Sequence, residues 1–130
     1  MINPGLALDT AALIAYASGT DEVGMQIAKA ADQNRDVLVP ALCLAHAHRQ
    51  ASNDQWVLLE VLAMLPNVHV TPVEAGMCAI LGGFTRRMAD RMDLAQLAMD
   101  AAVHPLVPIV TDQRELLGEV LPKEWPIIDL

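Results

Sequence analysis

The chain has 130 residues and 54% of them are hydrophobic, which argues against disorder and is enough for one domain with its own core. Its net charge of −8 disfavours a free-standing, sequence-independent nucleic-acid binder, since such proteins are usually basic unless bound divalent cations reverse the local field. Aromatic residues make up only 3%, too few for the base-stacking platforms of sheet-type RNA binders.

The first predicted element is a short strand, Leu6 to Leu8, followed by Asp9 and an Ala-rich helix. The strand is wholly apolar, as a strand covered on both faces would be. Asp9 stands where strand gives way to helix, so it is a candidate helix N-cap. It also follows the carboxyl end of a strand, where ligands gather in open parallel sheets. The two roles are compatible, and both stay open.

The next part of the chain alternates helix and strand. Gly19 to Glu22 is typical of a loop with a helix cap, and it precedes an amphipathic helix that runs to about Ala31. Val37 to Val39 is a second short apolar strand. Pro40 opens the following helix, which runs to about Ala51, because the first helical turn has no partner for the N–H that proline lacks.

Asn53 is the predicted cap of the next helix. The side chains expected on its buried face are Trp56, Leu59, Val61 or Leu62, and Leu65. Val68 to Val70 is a third strand. Thr71 to Glu74 has the pattern of a capping box with proline at the first helical position. It predicts a helix that runs toward Arg91 and is weakened or broken at Gly82-Gly83.

In the last third, Asp93 begins a helix that runs to about Val103. Val107 to Thr111 is a fourth strand, in which Pro108 indicates an edge position or a later start. Asp112 to Glu115 is another capping box, and Pro126 to Ile128 is a final edge strand. This alternation predicts a single α/β domain over residues 1–130, with three layers (α/β/α) and a mainly parallel sheet of four to five strands.

Three aspartates stand at the ends of predicted elements. Asp9 follows the first strand, Asp112 follows the fourth, and Asp93 begins the helix before the fourth. Because parallel strands end at one rim of a sheet, Asp9 and Asp112 are expected at the same rim. Asp93 is less constrained, since its helix precedes a strand. The alternative is three separate N-caps, each stabilising its helix by roughly 1 kcal/mol.

Four sequence blocks contain or flank these residues: Leu8 to Ile14, Val39 to Ala45, Asp93 to Ala98 and Val110 to Asp112. In this order they resemble the PIN domain, the metal-dependent ribonuclease fold found in the toxin half of VapBC-type modules. The resemblance covers nearly the whole chain. It departs in the second block, where the family usually has a glutamate and this chain has His46.

The resemblance implies a divalent-metal-dependent ribonuclease that is the toxin of a toxin–antitoxin pair. Asp9, Asp93 and Asp112 would be ligands of one or two Mg²⁺ or Mn²⁺ ions, which prefer oxygen donors. His46 would weaken or alter that site: it could favour softer metals, act as a general acid or base, or fill space in a degenerate site. The alternative is a non-catalytic PIN-like module that binds a protein or RNA partner.

Other polar residues are secondary candidates. Thr10 and Thr111 could orient a metal ligand or a water. The candidate phosphate-positioning residues are Arg49, Arg86, Arg87 and Arg91. The arginines have the alternative of a solvated face that balances an acidic chain. We expect structural or solvent-facing roles, without a part in metal binding, for His48, His69 and His104.

The remaining expectations concern the core, the compartment and the partners. The side chains predicted to be buried in addition to those above are Cys43, Cys78, Met88, Met92 and Met99. The chain begins without a signal-peptide pattern and contains no apolar run long enough to cross a membrane, so we expect a cytoplasmic protein. RNA as substrate, a cognate antitoxin and a homodimer are the expected partners. A receiver-like acidic-pocket domain would require a different strand order.

Overall fold

The computed structural model describes residues 2–130, and it confirms the predicted α/β fold with helices on both sides of a parallel sheet. All strand pairs are parallel, and the spatial order is β3-β2-β1-β4-β5. The strands are β1 (Pro4–Leu8), β2 (Asp36–Pro40), β3 (Val68–Thr71), β4 (Ile109–Thr111) and β5 (Ile127–Asp129). This order differs from the 2-1-3-4-5 order of flavodoxin-like and receiver-like domains.

The centre of the sheet is covered on both faces. Leu6, Ala7 and Leu8 are consecutive in β1, and each is at most 2% exposed. Because successive side chains of a strand point to opposite faces, helices must cover both sides of β1. Ala7 lies opposite Leu38 of β2 and Ile109 of β4, which are equally buried.

Between residues 2 and 130 the structure has seven α-helices, and a 3₁₀ turn at Ala75–Met77. The helices are α1 (Thr10–Ala17), α2 (Asp21–Asp32), α3 (Ala41–Gln50), α4 (Asn53–Ala63), α5 (Cys78–Arg87), α6 (Met92–Ala102) and α7 (Arg114–Leu117). None of the helices in this part of the chain combines the length and the apolar character that a membrane crossing requires.

The predicted start of α4 is wrong by one residue. The cap is Ser52, whose hydroxyl accepts a hydrogen bond from the N–H of Gln55 at 3.3 Å. The Gln55 side chain accepts one from the N–H of Ser52 at 2.9 Å. Asn53 is therefore the first helical residue, because the reciprocal pair satisfies two backbone donors that a single Asn53 cap would not.

The capping box predicted at Thr71 to Glu74 does not begin a helix. Thr71 still belongs to β3, where it pairs with Pro40, and its hydroxyl donates to the carboxylate of Asp100. The hydroxyl that would have capped a helix is thus engaged with α6. Helix α5 begins only at Cys78, and it continues through Gly82 and Gly83 to Arg87, so of the two predicted effects of the glycines the break does not occur.

The predicted buried face of α4 is wider than the face that the structure buries. Leu59 and Leu62 of α4 are buried, as predicted, and Leu62 is the buried member of the predicted alternative because Val61 is 48% exposed. Trp56, predicted to be buried, is 46% exposed. Helix α4 packs on the domain through a narrow stripe, and the Trp56 ring lies over the ring of His48 at the surface. Two more side chains that were predicted to be buried are exposed, namely Cys78 and Met92.

The end of the chain places β4 inside the sheet. Pro108 delays the start of β4 to Ile109, as one of the two alternatives predicted, and β4 lies between β1 and β5. The edge position therefore belongs to β5, as predicted. Helix α7 begins at Arg114 after Gln113, so Asp112 is not its cap and the capping box predicted there is wrong.

Candidate functional site

The candidate site lies at the carboxyl rim of the sheet, at the point where the chain turns from one half of the sheet to the other. Strand β1 has β2 on one side and β4 on the other, and this switch point is where open α/β sheets bind ligands. Asp9 follows β1 and Asp112 follows β4, so neighbouring strands deliver both residues to the same rim.

Asp9 is a helix cap and also belongs to the rim. Its carboxylate is 1% exposed; Oδ1 accepts from the N–H of Ala12 at 2.8 Å and Oδ2 accepts from the hydroxyl of Thr111 at 2.6 Å. Burial raises the pKa of Asp9 from 3.8 to about 6, and the charge of Asp112 adds to the increase, although the two hydrogen bonds oppose it.

Helix α6 brings the third aspartate to the same place. Asp93 is in the first turn of α6 and is 1% exposed. Its Oδ2 accepts from the hydroxyl of Thr10 at 2.6 Å, which joins the first turn of α6 to the first turn of α1. The Cys43 thiol donates to the backbone carbonyl of Asp93 at 3.3 Å, so α3 is packed on the same turn.

Arg91 is the direct ionic partner of Asp93. Its Nε lies 3.1 Å from Oδ1 and its Nη2 lies 3.0 Å from Oδ2, which makes a bidentate pair. Burial alone would raise the pKa of Asp93, but the bonds from Arg91 and Thr10 outweigh it and hold that pKa below 3.8. Asp93 is therefore an ionised carboxylate with hydrogen bonds at both oxygens.

A cleft of about 580 Å³ opens at this rim. The polar side chains that line it include those of Thr10, His46, Arg49, Arg91, Asp93 and Asp112. Asp112 is exposed, so it can meet a ligand directly, whereas Asp9 and Asp93 lie below the surface. The structure thus brings the three predicted aspartates and His46 to one region.

Two of the four predicted arginines lie elsewhere. Arg86 and Arg87 are exposed at the end of α5 and do not line the cleft, and Arg87 donates to the carbonyl of Glu119.

Two of the other histidines have structural contacts. The ring of His48 lies against the Trp56 ring with the centroids 4.5 Å apart. The Nε2 of His69 is 3.2 Å from the Asp36 carboxylate, so His69 has a structural partner.

Sequence reasoning missed the pairing of Arg91 with Asp93. Residues two apart in a helix do not face each other, so the spacing gave no reason to expect it. Arg91, however, is the residue before α6 and has non-helical angles, φ −89° and ψ 89°. Ala89 and Asp90 before it both have positive φ, 54° and 60°, and this tight reversal sets the direction from which Arg91 approaches.

The side chains at this rim include the type of ligand that a hard divalent cation needs. Three carboxylates supply the oxygen ligands that Mg²⁺ and Mn²⁺ prefer. In this arrangement, however, both oxygens of Asp93 are occupied by Arg91 and Thr10. Within residues 2–130 no group of three His, Cys, Asp or Glu side chains is positioned to hold a metal. The donor types are those that such a cation prefers, but their arrangement in this structure is not that of a metal site, and Arg91 and Thr10 are bonded to Asp93.

Comparison with known proteins gives no match, either to a protein-family model, to a curated protein or to a solved structure. The features that indicate a function are therefore the motif blocks of the sequence and the geometry of this cleft.

Proposed function

We propose that this protein is a PIN-like, divalent-metal-dependent ribonuclease and the toxin of a toxin–antitoxin pair. The observation that supports the proposal is the convergence of Asp93, Asp112 and His46 on one cleft, with Asp9 close enough to act electrostatically on both Asp112 and Arg91. Three N-caps would not account for this, because only Asp9 caps a helix.

In this proposal Asp9, Asp93 and Asp112 hold one or two Mg²⁺ or Mn²⁺ ions. The chemistry that such an ion supplies is a more acidic bound water and neutralisation of phosphate charge. Arg49 lines the same cleft and provides a cation for the RNA phosphate. His46 lines the same cleft and acts as a general acid or base in this proposal.

The test is RNA cleavage by the wild-type protein with Mg²⁺ and then with Mn²⁺, compared with Asp9→Asn. The proposal expects metal-dependent cleavage that falls at least about tenfold in the variant, as loss of a group that supports a metal typically does. Asp32→Asn is the matched control, because Asp32 is exposed at the end of α2, which leads to the opposite rim of the sheet. Metal-independent cleavage, or an unchanged Asp9→Asn variant, would refute the proposal.

The second candidate is a non-catalytic PIN-like module that binds a protein or RNA partner. The observations that favour it are the Arg91–Asp93 pair and the histidine at position 46. His46→Glu separates the two candidates: cleavage that appears only in that variant would identify the natural protein as a silenced enzyme. The antitoxin and the homodimer remain predictions that follow from the resemblance alone.

A further inference from the structure

We propose that Arg91 is a built-in cation that occupies the carboxylate site and competes with divalent metal for Asp93. The inference deepens the proposed function, since it rests on the same metal site. It does not depend on RNA being the substrate.

The geometry of the pair is that of a specific clamp. The planar guanidinium meets both carboxylate oxygens at 3.1 and 3.0 Å, which is the two-point arrangement that makes arginine bind carboxylates tightly. Thr10 bonds Oδ2 as well. While Arg91 is in place, Oδ2 already accepts two hydrogen bonds and Oδ1 accepts one, and the guanidinium charge beside both oxygens repels a divalent cation from Asp93.

The charge of Arg91 acts on the whole site. Its guanidinium is attracted by Asp112 and Asp9 in addition to Asp93. One positive charge thus stands among three acidic side chains, two of which are buried. A divalent cation carries twice the charge of the guanidinium and would be attracted by the same carboxylates. The arginine and the ion are therefore alternatives for one position beside them.

The clamp has room to open. The Arg91 side chain is 40% exposed and lines the cleft of about 580 Å³, whereas the Asp93 side chain is only 2% exposed. The arginine can therefore swing into water, while Asp93 cannot. Because a buried carboxylate left without a partner is costly, release of Arg91 requires another cation to take its place. This makes metal entry and arginine release a single coupled exchange.

The experiment is Mn²⁺ titration by calorimetry, without RNA, of the wild-type protein and Arg91→Gln. Removing the charge-assisted pair is expected to tighten Mn²⁺ binding at least about tenfold. Arg49→Gln is the matched control, because Arg49 lines the same cleft and, within the part of the chain that the structure describes, forms no salt bridge. Its Mn²⁺ affinity should change by less than about threefold, as expected for a screened exposed charge.

A second variant keeps the test decisive if Arg91→Gln does not fold. Arg91→Lys retains the positive charge but loses the two-point fork, and it should bind Mn²⁺ more tightly than the wild type and less tightly than Arg91→Gln. Unchanged affinity in the Arg91 variants, no Mn²⁺ binding in any variant, or an equal gain in Arg49→Gln would each overturn the clamp.

The outcomes also separate this inference from the proposed function. Tighter Mn²⁺ binding by Arg91→Gln with no RNA cleavage would support the clamp and refute the ribonuclease. Metal-dependent cleavage by the wild type, with Mn²⁺ affinity unaffected by Arg91→Gln, would refute the clamp and retain the ribonuclease.

Discussion

Replacement of Asp9 by asparagine should change how the stability of the metal-free protein depends on pH. The pKa of Asp9 is raised from 3.8 to about 6 in the folded protein, mainly by burial. The stability that protonated Asp9 supplies is fully present below pH 3.8 and is lost as the pH rises through about 6. The difference between the two values corresponds to about 3 kcal/mol of unfolding free energy. Asparagine is neutral throughout, so Asp9→Asn should gain about 2.5 kcal/mol relative to wild type between pH 4 and pH 7.5, since part of the effect already lies below pH 4.

The assay is urea unfolding in the presence of EDTA, followed by tryptophan fluorescence. Trp125 should report the transition, because it is buried and donates to the carbonyl of Val107 at 2.7 Å, whereas Trp56 is already 46% exposed in the folded protein. The comparison of interest is the change with pH, because any constant effect of the substitution on the cap at Ala12 cancels. Asp32→Asn, at an exposed position, gives the baseline. A flat difference for Asp9→Asn would show that folding does not shift the pKa of Asp9, and a variant that loses relative stability as the pH rises would show that ionised Asp9 stabilises the fold. Either result would refute the reasoning.

Two further predictions concern packing, and urea unfolding measures both. Gln96→Met should lower the unfolding free energy by about 3 kcal/mol, since it leaves two backbone groups unpaired: the Leu42 N–H, now 2.9 Å from Oε1, and the Thr71 carbonyl, now 2.8 Å from Nε2. A loss below about 1 kcal/mol would mean that water replaces the amide. Leu59→Ala should cost about 3 kcal/mol and Val61→Ala less than about 1 kcal/mol, although both are in α4, because only Leu59 is buried. Similar losses for the two would contradict the narrow buried stripe.

The sheet was predictable from the sequence because its central strands are short and wholly apolar. A strand such as Val37 to Val39 has no polar position to expose, so it must lie under helices on both faces. The helix starts were less predictable, since Thr71 to Glu74 satisfies the local rule for a capping box. A tertiary contact decided that case: Thr71 pairs in β3 and bonds Asp100, which is distant in the sequence.

The positions of Asp9 and Asp112 at one rim also followed from the sequence, because each comes directly after a strand of a parallel sheet. The position of Asp93 beside Thr10 did not, since it depends on how α6 packs on α1 and α3. The ion pair between Arg91 and Asp93 was even less predictable from the sequence. It requires two successive residues with positive φ, Ala89 and Asp90, and neither is a glycine that would have indicated such a turn.

The three aspartates at the rim carry like charges that repel each other, and the fold reduces this repulsion in a different way for each of them. Asp93 stays ionised and has Arg91 as its counter-charge, whereas Asp9, bonded to Ala12 and Thr111, has no cation in hydrogen-bond contact among residues 2–130 and instead takes up a proton more readily than usual. Asp112 is exposed, so water solvates it. The metal-free chain can therefore fold although its acidic residues converge. A divalent ion that enters must displace the guanidinium of Arg91 and, below about pH 6, the proton of Asp9, which couples its affinity both to pH and to a single side chain.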